Sequence, residues 1–199
     1  RILHRNRSCI NHTSILFTSV DLFNNGRDMI SDSNETRLLI DLNLEAGNTA
    51  LESSAFLASS AYFRSAISLI PEEDRWSKCP DLTLKLFNGL IKAEYSNGRW
   101  DRLREHIDEV LTQKNISTLE KVTVYSISIV MLSMHQHNHV EAIDLAFDVM
   151  RNFGVNLRKK PGKLGVIRGL LKTKLLLRKI PLTTLLDKEK MTDTNKLVA

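Results

Sequence analysis

Between Leu82 and Leu111 apolar residues recur every three or four positions, and the break comes at Ser96-Asn97-Gly98. Leu82, Leu86, Leu90, Ala93 and Tyr95 mark one helical stripe. Trp100, Leu103, Ile107 and Val110 mark a second, which begins two residues after the glycine. Stripes of this period each need a partner surface to bury them. A turn this short makes the two helices antiparallel neighbours.

The same pattern extends in both directions. Ile15, Leu16, Val20, Leu22 and Phe23 lie near helical spacing and stop at Asn24-Asn25-Gly26. Asp32 or Ser33 is the expected N-cap of the next helix, with Glu35 three residues after Asp32 in a capping-box arrangement. Its stripe is Leu38, Leu39, Leu42, Ala46 and Ala50. Phe56, Ser59, Phe63, Ala66 and Ile70 form the following face, ended by Pro71, and small residues among aromatics there let helices approach closely. Residues 71–81 read as a loop. Farther on, Ser117 and Glu120 read as a capping box for a helix reaching Met134. The β-branched residues of 122–130 would by themselves favour a strand; length and the capping box favour a helix. Val140, Ile143, Phe147 and Met150 then predict another, with Gly154 as its C-cap. With 8 Gly and 4 Pro in 199 residues, turn formers are too sparse for many short strands.

Aligning the turns exposes a degenerate repeat. Phe56, Trp100, and Val140 or His139 follow the turns; Ser59, Leu103 and Ala142 come next as packing positions, then Phe63, Ile107 and Ala146, then Ala66, Val110 and Val149. The spacing is roughly 40 residues, against ~34 for a strict tetratricopeptide unit, and the excess falls in loops such as 71–80. Gly47, Ser59, Phe63, Ala66 and Pro71 suit that repeat. The expected fold is therefore an all-α solenoid of antiparallel, tetratricopeptide-like helix pairs.

Charge is unevenly placed. The net charge is +5, yet no acidic residue occurs between Asp148 and Asp187, a stretch that carries ten lysines and arginines from Arg151 to Lys179. Within it, Leu164, Ile167, Leu170, Leu171, Leu175 and Leu177 share about half a helix, and Arg168, Lys172 and Lys179 the other half. Such a basic amphipathic helix suits anionic lipid, calmodulin-like partners or nucleic acid; the plainer reading packs its apolar face on the preceding pair. No aromatic follows Phe153, so base stacking has no platform. No apolar run reaches the roughly 18 residues of a membrane helix. Cys9 and Cys79 form no CxxC, which fits a reducing, cytoplasmic setting. The sequons at Asn11, Asn34 and Asn115 carry no meaning without a secretory context.

Three stretches resemble a known family. Residues 28–76, from "DMISDSNETRLLI" to "LIPEEDRW", and "AEYSNGRWDRL" (93–103) are similar to a tetratricopeptide-like helical-repeat region of large multidomain signalling proteins. "LLDKEKMTDTNKLVA" (185–199) resembles the stretch leading into that family's next repeats. Such proteins join a protein-kinase-like domain, an AAA-type predicted ATPase, the helical array, and GAF, histidine-kinase or cyclase modules. The likeness covers roughly residues 15–199. It implies that the chain is a piece of a longer polypeptide beginning before Arg1: residues 1–30 end a preceding helical region, 31–155 hold the repeats, and 156–199 form a basic amphipathic helix and a linker into further repeats. It also implies a non-catalytic regulatory segment whose partners are other domains of the parent protein and further proteins.

The sequence contains no residues to set against that reading. "KKPGKLG" (159–165) lacks the upstream glycine and the Ser/Thr of a phosphate loop. His135, His137 and His139 alternate, but at a helix corner without cysteine, where His, Gln136 and Asn138 serve as turn residues; a solvated corner is preferred over a zinc site. Glu72, Glu73 and Asp74, and the pair Asp101 and Glu105, read as solvated surface rather than an acid–base pair. Cys79, before Pro80, has no base partner in view. No catalytic, cofactor-binding or metal-binding residue is expected. Membrane contact through 158–180, or nucleic-acid binding through 151–180, is the alternative.

Overall fold

The computed structural model describes residues 2–157, 159, 162–179, 192–193 and 197, and the side chains among these from Thr13 onward except that of Lys179. Every regular element among the described residues is helical. The chain divides into two compact units, Arg1–Ser117 and Thr118–Ala199.

The first unit holds α1 (Ile2–Asn25), a 3-10 turn (Arg27–Met29), α2 (Ser33–Glu52), α3 (Phe56–Ser68), the single-turn α4 (Glu72–Arg75), α5 (Pro80–Asn97) and α6 (Trp100–Thr112). Helices close in sequence pack on one another: α1 on α2, α2 on α3, α3 on α5, and α5 on α6, while α2 also touches α5. Pro80 opens α5 at a position where its missing N–H costs nothing. Gly98 closes it at φ +67°; the Gly98 N–H donates to the Tyr95 carbonyl and the Arg99 N–H to that of Glu94, so the expected tight turn is a Schellman motif. Asp32 is the N-cap of α2, as expected, but the capping box is not made: the Asp32 side chain makes no cap hydrogen bond.

Phe63 is the pivot of this unit. Its ring is fully buried and is flanked by two glycines, Gly47 of α2 and Gly89 of α5. A Cβ at Gly47 would stand 2.7 Å from the ring, and one at Gly89 2.2 Å. Only bare backbone lets three helices meet around one aromatic side chain. Phe87, Leu86, Leu90 and Ile91 complete the α5 core, each burial being worth about 1.5–3 kcal/mol. At the α1 end, Val20, Ala46, Ala50 and Tyr62 form a second cluster with Leu16, Phe17 and Leu42 against it. There Tyr62 stacks on Phe17, with ring centroids 5.7 Å apart.

The second unit holds α7 (Val122–Val130), which runs into a π turn (Met131–His135), then α8 (His139–Asn152) and α9 (Lys163–Lys179). The β-branched run does form a helix. α8 ends in a second Schellman motif: the Gly154 N–H donates to Arg151 and the Val155 N–H to Met150, with Gly154 at φ +80°.

Several expected registers shift. On α2 the buried set is Leu39, Ile40, Asn43, Ala46, Gly47 and Ala50, and Leu38 is exposed, because α1 and α3 grip the helix from two sides. α3 ends at Ser68, and Pro71 instead caps α4. α7 begins at Val122, so Ser117 and Glu120 lie in the turns before it. On α8 the buried positions are Ala142 and Val149, while Val140 and Ile143 are exposed; α7 and its π turn cover just one narrow side. Trp100 is only half-buried and meets Tyr95 edge-on at 5.8 Å. Of the aligned packing positions, Ser59, Leu103, Ala142, Phe63, Ile107, Ala66, Val110 and Val149 are buried, while Ala146 is only half-buried.

Candidate functional site

The most concentrated polar chemistry in the first unit lies between α3, α5 and α6. Glu94 follows Leu90 by one helical turn and therefore points along the buried stripe of α5. Its side chain has no exposed area. One carboxylate oxygen accepts from the Arg64 guanidinium of α3 at 3.1 Å, and the other lies 2.7 Å from His106 Nδ1 of α6. Arg64 also reaches the Ser60 hydroxyl at 3.3 Å. The His106 ring packs edge-on against Phe87, with centroids 5.8 Å apart. A buried carboxylate is tolerable when both oxygens are hydrogen-bonded to cationic or polar donors, and here both are. The carboxylate has no open face toward which a substrate atom could move. The arrangement locks three helices together.

Three further interhelix contacts share this character. Asn43 is fully buried and exchanges two amide hydrogen bonds with Asn24, each 2.9 Å, tying α2 to α1. The Ser59 hydroxyl donates to the Gly47 carbonyl at 2.8 Å, tying α3 to α2. The Tyr62 hydroxyl donates to Asp21 at 3.0 Å. Burial, reinforced by the hydrogen bond and charge of Asp21, pushes its pKa up to about 12.

None of the sequence's candidate groups comes together as a reacting centre. His135, His137 and His139 are exposed around the π turn. His139 Nδ1 lies 3.0 Å from the Ser133 hydroxyl, and His137 takes a left-handed backbone, φ +53°. Asn138 is the N-cap of α8: its side-chain oxygen accepts from the Glu141 N–H at 3.3 Å, and its amide donates to the Glu141 carboxylate at 2.6 Å. The corner is thus organised by its asparagine. Among the described residues no group of three or more His, Cys, Asp or Glu could hold a metal ion.

Glu72, Glu73 and Asp74 form α4. Asp74 binds Lys78, whose ammonium it holds above the ordinary lysine value. Cys79 is a free, partly buried thiol at the N-cap of α5. Lys121, at the start of α7, is buried, and desolvation pulls its pKa down.

The Arg64–Glu94–His106 lock was missed by sequence reasoning, although a signal was present: a glutamate at a core position between Ala93 and Tyr95, four residues after Leu90. The basic helix α9 gives the other surprise. The expectation that its apolar face packs on the preceding pair is not met, since Leu164, Ile167, Leu171 and Leu175 are all exposed.

No helix among the described residues is long and apolar enough to cross a membrane. Comparison with known proteins places the chain in no family: no family model matches it, and no match was found among curated proteins or solved structures.

Proposed function

We propose that this chain is a protein-interaction and regulatory helical-repeat segment, an α-solenoid of tetratricopeptide-like pairs, within a multidomain signal-transduction ATPase or kinase. It has no catalytic activity by itself. The observation that carries the reading is the way polar groups are used. Buried Glu94, Asn43 and Ser59 each bridge one helix to the next, so specific chemistry is spent on holding helices in register. Helices that pack chiefly on their chain neighbours, with most of the aligned packing positions buried, are what a stack of such pairs requires. Its surfaces would hold an adjoining domain and bias it between states.

The test has two arms. The reading frame around this segment should encode a phosphate-loop ATPase module before it and a kinase or cyclase module after it. Titrating the purified segment into the purified ATPase module should give saturable binding and a changed ATP turnover, with no turnover by the segment alone. Neighbouring modules of another kind, or intrinsic turnover that survives rigorous purification, defeats the reading.

The exposed basic helix α9 favours a second reading, binding of nucleic acid or an anionic membrane through 151–180. Affinity for DNA or RNA that collapses between low and physiological salt would support it.

A further inference from the structure

We propose that the chain associates head to tail with a second copy of itself, with α9 of one copy seated in the cleft between α1 and α2 of the next. Both halves of the contact are present and complementary. The cleft, of about 290 Å³, is lined by Phe23, Ile30, Leu38, Leu39 and Leu42, with Glu35 at its edge. Phe23 and Leu38 are each more than half exposed. The surrounding segment, residues 13–52, carries seven acidic residues and two basic ones: Asp21, Asp28, Asp32, Glu35, Asp41, Glu45 and Glu52 against Arg27 and Arg37. The slot is thus built from a predominantly acidic stretch of chain.

α9 has the opposite character. Its ionisable side chains are all basic and none is acidic. Leu164, Ile167, Leu171 and Leu175 follow one another along a single face, exposed, with Arg168 and Lys172 beside them. Apolar anchors at this spacing are what a helix presents to a groove. The helix is also poorly equipped to stand alone. It contains Gly165 and Gly169, around which a Cβ would meet nothing within 4 Å. Each glycine disfavours a helix interior relative to alanine, and a helix of this length in water depends on the packing of its apolar face. Seating the leucines against Phe23 and Leu38 supplies that packing and sets the flanking cations against Asp28, Asp32 and Glu35. Because helix and cleft are different surfaces, the contact is heterologous and can propagate from copy to copy. An anionic bilayer would also receive a basic leucine-rich helix, but it would leave the acidic cleft uncovered; a second copy uses both.

Sedimentation velocity over a concentration series at low and high NaCl tests this. The full chain should sediment faster as concentration rises, and salt should reverse the effect. Leu38→Glu should be monomeric, and so should the double variant Arg168→Glu with Lys172→Glu. All of these residues are exposed, so circular dichroism should report an unchanged fold. Mixed in equal amounts, the two variants should form a 1:1 dimer that grows no further, because one keeps the helix and the other the cleft. A full chain that is monomeric throughout overturns the proposal, as do variants that still associate or a mixture that fails to pair. Pelleting with phosphatidylserine vesicles, retained by Leu38→Glu while the full chain stays monomeric, would assign α9 to lipid instead.

Discussion

Replacing Gly89 by alanine should destabilise the chain even though alanine is the better helix former. The added Cβ would sit 2.2 Å from Phe63 Cζ, where carbon atoms settle at about 3.5–4.0 Å. The ring must therefore retreat by more than about 1 Å. It cannot move toward α2, because Gly47 already lies close enough that a Cβ there would come within 2.7 Å of the same ring. Overpacking costs about 1–3 kcal/mol, and a ring held on both sides belongs at the upper end. The helix-propensity gain returns about 1 kcal/mol. The net loss is then about 2 kcal/mol, read as a lower urea midpoint at an unchanged slope. In a Phe63→Leu background the obstacle shrinks, so the same substitution should become neutral or stabilising. That change of sign in a double-mutant cycle is the signature of direct contact. A Gly89→Ala chain as stable as the parent, or one that loses equally in both backgrounds, would show that Phe63 does not sit between the glycines.

Three other outcomes follow from the same packing. Glu94→Ala should cost about 2–4 kcal/mol, toward the lower side of the range for a broken buried pair because Arg64 and His106 retain solvent contact; chemical denaturation should show Glu94→Gln losing less. The raised pKa of Tyr62, about 12 in the folded chain against 10.0 for the free side chain, means that the unfolded chain releases this proton first. Its contribution is therefore complete below pH 10 and lost as pH rises through 12, and Tyr62→Phe should blunt that alkaline loss in pH-dependent melts. Trp100→Ala should cost about 2 kcal/mol, less than removal of a fully buried aromatic, whereas Arg102→Ala, at an exposed position, should cost about 0.5 kcal/mol or less; equal losses would mean that the α6 register is wrong.

Helix identity was legible in the sequence wherever apolar period and a turn residue agreed, as at Gly98. Register was less legible where a helix is gripped from two sides. On α2 the pattern of large residues pointed to Leu38, but burial falls on Asn43 and Gly47, because close approach by α1 and α3 selects small or hydrogen-bonding residues over bulky ones. The Phe63 cradle was half visible: Gly47 and Phe63 both stood out, but Gly89 lay inside a continuous stripe where nothing local marks a contact with a ring 26 positions away. The Arg64–Glu94–His106 lock was harder, since its members sit on three helices: Glu94 stood at a core position, but Arg64 and His106 taken singly read as surface groups. The histidine corner was legible as a corner, and its organiser, Asn138, was among the turn residues that the sequence indicated.

Residues 71–80, between α3 and α5, are built into the packing. Trp76 leans on Phe87 of α5, with centroids 5.4 Å apart, and donates its indole N–H to Glu109 of α6 at 3.1 Å. The Trp76 carbonyl accepts from the Asn115 side chain at 3.1 Å, and the Arg75 carbonyl from the Thr83 hydroxyl at 2.6 Å. Four groups from three segments thus converge on a stretch that composition marks as a loop. Shortening it would remove an aromatic wedge and leave Glu109 and Thr83 without these partners, so its length acts as a spacer between α3 and the α5–α6 pair. That spacing determines whether Phe63 reaches Gly89 and Arg64 reaches Glu94. The segment and the two interior contacts therefore belong to one junction.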